Sequence, residues 1–317
     1  MTATHVILGT GAIGRATMEE LIKHGESVRM VNRSGKMDEA PERVEVVALD
    51  LYDPSNVREV TRGAKVVYQS TQPPYDQWPE KFPLLQNSIL QGLTGSNVKL
   101  VLVENLYMYG NPNGKPITED TPFNAHTRKG RVRGEISRAA FRAHKEGRVR
   151  VTSARGGNFF GPWGTESTMG GRAFFPLLRG KPAQLIGRTD LPHTHTYLKD
   201  FGAALVILGE RQEADGQAWH VPNDQPRMSQ GELVRLFAKE AGVEPKISGM
   251  GKLMMTIGGL FLPEAKETVE MMYEFENPFI IDSSKFEKTF GMKATPIHEA
   301  IRETVNWYKS HVELAHN

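Results

Sequence analysis

Cysteine is absent from all 317 residues. That excludes disulfides, thiolate nucleophiles and every metal site that needs a sulfur ligand. An excess of one charge is missing too: 39 Lys and Arg stand against 37 Asp and Glu, a formal net charge of +2. So small an imbalance gives no field with which to argue for nucleic acid or a membrane surface as a partner. No apolar run approaches the roughly 20 residues that a bilayer-spanning helix needs. The first residues, Met1 to Gly11, carry neither a basic n-region nor a cleavage site and enter a β run at once. A cytoplasmic location is expected, with no membrane or nucleic-acid partner. Internal repeats, heptads and low-complexity tracts are absent as well.

What is present reads as an ordinary globule, 39% hydrophobic and 24% charged, of a length at which one core tends to split in two. In the first half, short β-branched runs alternate with helical patterns. The runs are His5 to Leu8, Ser27 to Val31, Val44 to Ala48, Val66 to Tyr68, Lys99 to Val103 and Val149 to Ala154. Apolar runs with little polar alternation, spaced by helices, imply a parallel sheet covered on both faces. Right-handed crossovers then give an α/β, doubly wound parallel sheet. After about Gly156 the rhythm changes to a stretch crowded with Gly, Pro and aromatics, Gly156 to Gly164. Further on, Ser229 with Glu232 signals a capping box for a helix to about Ala241, and Pro296 is expected at the first position of a last helix. The expected division is residues 1–160 for the sheet domain and 161–317 for a smaller C-terminal lobe. A segment of about 195–222 is expected to return to the first domain.

The strongest motif is Gly9–Thr10–Gly11–Ala12–Ile13–Gly14, a G-x-G-x-x-G between a strand and an amphipathic helix. Gly9 permits the tight turn, Gly11 lets a pyrophosphate approach the backbone at the helix start, and Gly14 lets the helix pack on the sheet. A nicotinamide dinucleotide is the expected ligand. The second strand ends in Asn32–Arg33–Ser34, with no carboxylate before Asp38. Arg33 can pair with a 2′-phosphate, and Asn32 and Ser34 can donate to it. NADP is therefore expected in preference to NAD. Asp50 and Leu51, after the third strand, are candidates for the adenine amine and ring, and Ser70, Thr71 and Gln72 for the middle of the dinucleotide. Each of these is equally readable as an ordinary turn residue.

Together with Ala48–Leu49–Asp50–Leu51, Tyr109–Gly110–Asn111–Pro112, Arg155 to Pro162 and His195–Thr196–Tyr197–Leu198–Lys199–Asp200, this chain resembles the extended short-chain dehydrogenase/reductase superfamily, its NAD-dependent epimerase/dehydratase group. The resemblance implies a Rossmann-type first domain, a substrate-binding second lobe and a small-molecule substrate. The glycine spacing is closer to the atypical branch, because Leu8 occupies the family's first glycine position. In the family the Tyr and Lys of a Tyr-x-x-x-Lys pair carry proton transfer, beside a Ser or Thr at the fifth strand. Lining up Tyr109–Gly110 and Glu135 puts Asn105, Thr127 and Arg131 at those three positions. An aliphatic hydroxyl is too weak an acid to replace a phenol. Arg131 keeps its charge and can still hold a ribose or a phosphate. The family's catalytic assignment therefore does not transfer, and Tyr107, Asn105 and His126 become the candidates for chemistry.

Two readings stay open. One is an NADP-dependent reductase or epimerase-like enzyme acting on a small carbonyl or hydroxyl compound. The other is a dinucleotide-binding sensor that has lost the chemistry. By analogy with the family, helices near Gln77 to Gln91 and Arg128 to Lys145 would pair in a homodimer. His193 and His195 lack a third ligand, so no metal is expected. The basic stretch Arg128 to Arg133 is interrupted by helical periodicity and matched by Glu135, so it is not read as a nucleic-acid site. Met250, Leu253, Met254, Met255, Ile257 and Leu260 to Leu262 form an apolar patch readable as a lid over an apolar substrate, a partner surface or core, with core the default.

Overall fold

The computed structural model describes residues 4–258 and 267–313, and the part of the apolar patch at Gly259 to Leu262 lies outside them. Its chain forms two compact units. The first holds Met1–Met108, Arg128–Arg155 and Phe201–Trp219, and the second holds Tyr109–Thr127, Gly156–Asp200 and His220–Asn317.

The first unit alternates strands and helices. They are β1 (His5–Leu8), α1 (Ala12–Lys23), β2 (Val28–Asn32), β3 (Glu45–Ala48), α2 (Pro54–Val60), β4 (Val66–Gln69), α3 (Trp78–Leu93), β5 (Lys99–Glu104), α4 (Arg128–Lys145) and β6 (Arg150–Arg155). Most of α6 (Leu198–Glu210) joins them from later in the chain. The sheet runs β3-β2-β1-β4-β5-β6-β8, where β8 is Ala218–His220. Strands β1 to β6 pair in parallel, with His5 opposite both Val28 and Val66. Every residue of β1 and β4 is buried, as two-sided helix cover requires. Val6, Leu8, Val67, Leu100 and Val151 from the strands pack with Val57, Leu85, Ile89 and Leu93 from α2 and α3. Each such aliphatic side chain contributes about 1.5–3 kcal/mol when fully buried. Strand order reverses between β1 and β4, which opens a crevice beyond their carboxyl ends.

The second unit is built on a parallel pair, β7 (Ala183–Ile186) and β9 (Ile247–Met250), with helices α5 (Gly171–Leu178) and α7 (Gln230–Ala241) and a last helix, Ile297–Ser310. Phe174 stacks on Phe237 at 4.0 Å, and Tyr308 meets both edge-on. The expected capping box forms: Ser229 Oγ accepts from the Glu232 amide, and the Ser229 amide donates to the Glu232 carboxylate. Pro296 is the residue before the last helix rather than its first, because its ψ of 133° is still extended. The apolar patch departs from the expected core. On α8 (Lys252–Gly258), Leu253, Met254 and Ile257 are exposed and only Met255 turns inward, against Met272. Among the described residues, no helix is long and apolar enough to cross a membrane.

Candidate active site

The glycine turn sits at the strand-order reversal. The Gly9 amide donates to Val31 O, and Ser70, at the end of β4, donates its amide and its hydroxyl to Leu8 O at 2.9 and 3.2 Å. Gly9 has φ +120°, and a Cβ there would stand 2.8 Å from the Thr71 amide nitrogen. A Cβ on Gly14 would collide with the carbonyl oxygen of Gly9. Gly11 differs: it is exposed, its φ is −72°, and a Cβ would meet nothing within 4 Å. No side chain caps α1 there. Gly11 thus leaves room beside the start of a 12-residue helix, whose first-turn amides and positive end suit an anion.

Asn32 organises the loop after β2. Its Oδ1 accepts from the Ser34 and Gly35 amides and from Ser34 Oγ, and its Nδ2 donates to Thr10 Oγ1 and Lys36 O. Asn32 and Ser34 thus spend their hydrogen bonds on the loop itself. Arg33 is exposed and, with Ala48, Leu49, Asp50 and Tyr52, lines an open depression of about 380 Å³. Asp50 Oδ1 accepts from the Tyr52 amide. Leu51, expected beside an adenine ring, turns into the core, and Leu49 and Tyr52 form the wall instead. On the first turn of α1, burial pushes the Arg15 guanidinium down from its ordinary range, against the pull of Asp38 and Glu39. Thr71 is half-buried and Gln72 exposed beyond β4.

At the end of β5 a second cluster forms. Asn105 Oδ1 accepts from the Tyr107 amide at 3.3 Å. Tyr107 is half-buried against Trp78, and Tyr75 donates its hydroxyl to the Tyr107 hydroxyl at 3.3 Å. Lys129, fully buried on α4, holds its Nζ 4.4 Å from the centre of the Tyr75 ring. Arg133, one turn on, lies over Trp78 and Phe82 and donates to Val103 O. Burial brings Arg133 down to about 10, with Glu104 opposing. Arg155 Nε donates to the buried Glu104 carboxylate at 2.9 Å. Burial alone would push Glu104 up, but Arg155 and Arg133 outweigh it and hold the carboxyl below its ordinary range.

The sequence reading missed Lys129, Arg133 and Tyr75. Within the basic stretch only Arg128 and Arg131 are exposed, while Lys129 and Arg133 are buried. A usable signal was the buried stripe at helical spacing, Lys129, Arg133, Ile136 or Ser137, and Ala140. Arg131 points outward, and Thr127 is buried just ahead of α4. His126 is exposed in the second unit, edge-on to Tyr273 at 4.9 Å. Tyr109, by contrast, is buried and pairs with His220 Nε2 at 2.9 Å. His193 and His195 lie 5.2 Å apart, and burial pushes both down, His195 to about 4. Among the described residues, no three His, Asp or Glu side chains gather as a metal site.

A strand-order reversal with a glycine turn at its crevice is the arrangement of the Rossmann-type α/β folds. Residues 6–221 match the model of the NAD dependent epimerase/dehydratase family, and the chain belongs to that family. It is 29% identical to the UDP-glucose 4-epimerase of Lactobacillus helveticus, over 96% of this chain and 97% of that protein. Among solved structures, the Thermus thermophilus UDP-glucose 4-epimerase complex with NAD is 18% identical, with a TM-score of 0.76 over 97% of this chain and 99% of that one. The Bordetella bronchiseptica enzyme WbmH in complex with NAD+ is 16% identical, with a TM-score of 0.72 over 98% and 99%. Both were solved with NAD, and this overturns the expectation of NADP. The physical reason lies in the loop after β2. Asn32 and Ser34 are occupied in shaping it, and Asp38 and Glu39 act on Arg15 at the helix start, where the sequence reading counted no nearby carboxylate.

Proposed function

We propose that this chain is an NAD-dependent enzyme that interconverts a hydroxyl and a carbonyl on a sugar nucleotide. The observation that carries the reading is the contrast within the glycine turn. Gly9 and Gly14 are packed tight, while Gly11 leaves room beside the uncapped start of α1. Gly9 to Gly14 would hold the pyrophosphate. Leu49, Asp50 and Tyr52 would take the adenosine end, Arg33 its ribose, and Ser70, Thr71 and Gln72 the stretch toward the nicotinamide, with Asn32 shaping the loop that carries Arg33. When bound, the nicotinamide supplies or accepts two electrons and a hydrogen. Tyr107 would give a proton to the reacting oxygen or take one from it, with Asn105 fixing the backbone that carries it. The substrate class rests on the likeness to the Lactobacillus helveticus UDP-glucose 4-epimerase.

Calorimetric titration with NAD and NADP, followed by incubation of the NAD-loaded protein with UDP-glucose and analysis of the sugar formed, tests the reading. Tighter binding of NAD than of NADP, with turnover, is expected. Binding of NAD without turnover of any sugar nucleotide would favour a sensor, and no binding at all would end both readings.

A further inference from the structure

Tyr75 opens a single 3₁₀ turn, Tyr75–Gln77, directly after Pro73–Pro74. The two prolines stiffen the approach, and Trp78 Nε1 donates to Pro73 O at 3.1 Å, pinning the turn to the start of α3. Trp78 meets the Tyr75 ring edge-on at 5.1 Å and the Tyr107 ring at 6.0 Å. The two phenols, one from beyond β4 and one from beyond β5, are thereby brought hydroxyl to hydroxyl where ligands gather in this fold. Beneath Tyr75 lies Lys129, with its ammonium over the ring face. Lys129 is fully buried, so its charge is screened less than it would be in water. What the ammonium adds is a fixed positive field at a phenol pair that is itself partly open to solvent.

We infer that Tyr75 and Lys129 are positioning residues that hold Tyr107 for proton transfer. This rests on the reading of an NAD-dependent hydroxyl–carbonyl enzyme given above. In the reducing direction the Tyr107 O–H bond breaks and the substrate's carbonyl oxygen gains the proton. The electron pair of the broken bond stays on Tyr107 Oη, and the two electrons and hydrogen for the carbon come from reduced NAD. The oxyanion left behind accepts a hydrogen bond from Tyr75 and lies in the field of Lys129. Both favour the charged form. Oxidation runs the same exchange backwards.

The test is a pH titration of protein carrying carbon-13 at the phenolic carbon of its 8 tyrosines, read by NMR and assigned with Tyr107→Phe. In Tyr75→Phe and Lys129→Met the Tyr107 midpoint should rise by about one pH unit or more, and Lys129→Arg should restore most of the shift. NAD affinity, measured by calorimetry, should stay within about twofold, because neither side chain belongs to the glycine turn. An unmoved Tyr107 midpoint in Tyr75→Phe overturns the inference. That variant keeps the ring under which Lys129 lies, so it decides the matter even where Lys129→Met fails to fold. If the wild-type protein binds no NAD, the functional reading falls, while the same titration still decides whether the three side chains are coupled.

Discussion

Gly14 faces the carbonyl oxygen of Gly9 across the first turn of α1 with no room for a methyl group between them. Gly11, between them in the chain, has open space on the same scale. The two alanine substitutions should therefore separate folding from binding. Gly14→Ala should lower stability by about 1–3 kcal/mol through overpacking. Gly11→Ala should cost less than about 1 kcal/mol, because its φ of −72° suits any residue. Its NAD affinity should nonetheless fall at least about tenfold, since the methyl occupies the approach to the helix amides. Thermal unfolding and calorimetry on the two variants check this, and the reverse pattern would contradict it.

The Glu104–Arg155 pair should make the first unit sensitive to acid. Glu104 is held below the ordinary carboxylate range, so the folded state favours its charged form. Its contribution is complete above the unfolded value of about 4.3 and is lost as pH falls through the lower folded value. Glu104→Gln leaves Arg155 and Arg133 buried without that carboxylate. The variant should lose about 3–5 kcal/mol in urea unfolding near neutral pH. The difference from wild type should shrink as the solution is acidified.

Glu274, in the second unit, has the opposite sense. Burial pushes its carboxyl up to about 8, against a weak contact from the Tyr273 hydroxyl at 3.5 Å. Between about 4.3 and that value the unfolded chain has lost a proton that the folded chain keeps, so stability declines as pH rises across the window. Glu274→Gln should remove the decline and raise stability on the order of 2 kcal/mol near the top of the window. Urea midpoints measured across the window, wild type against variant, test the sign. A wild type that gains stability with rising pH there, relative to the variant, would refute it.

Ser229→Ala should cost about 1 kcal/mol, because the Ser229 hydroxyl and Glu232 carboxylate satisfy each other's backbone amides at the start of α7. Chemical denaturation measures the loss. Ser229→Asp keeps an accepting oxygen at the cap and should recover most of it.

The sheet was legible because its central strands, β1 and β4, are buried on both faces. Val6–Ile7–Leu8 and Val66–Val67–Tyr68 have no polar alternation that another fold would use. The glycine turn was legible because positive φ and close backbone approach leave no other residue type at Gly9 and Gly14. The dinucleotide's identity was not legible, because Arg33 is visible in the sequence while the internal hydrogen bonding of Asn32 and Ser34 is not. Leu51 and Leu49 are indistinguishable by composition, and both meet the core, Leu51 fully buried in it and Leu49 only in part, so that Leu49 also lines the depression. Lys129 and Arg133 escaped notice because charge type outweighed position in the reading of α4. Their one-turn spacing marked the inward face all along.

Neither unit is one continuous stretch of polypeptide. The chain leaves the first after Met108, Arg155 and Trp219, having re-entered it at Arg128 and Phe201. A single scissile cut anywhere between those points yields fragments that each lack part of a core. Limited proteolysis should thus release no autonomously folded piece, and grafting the second unit onto a foreign sheet would require five splices made together, one at each junction between the units.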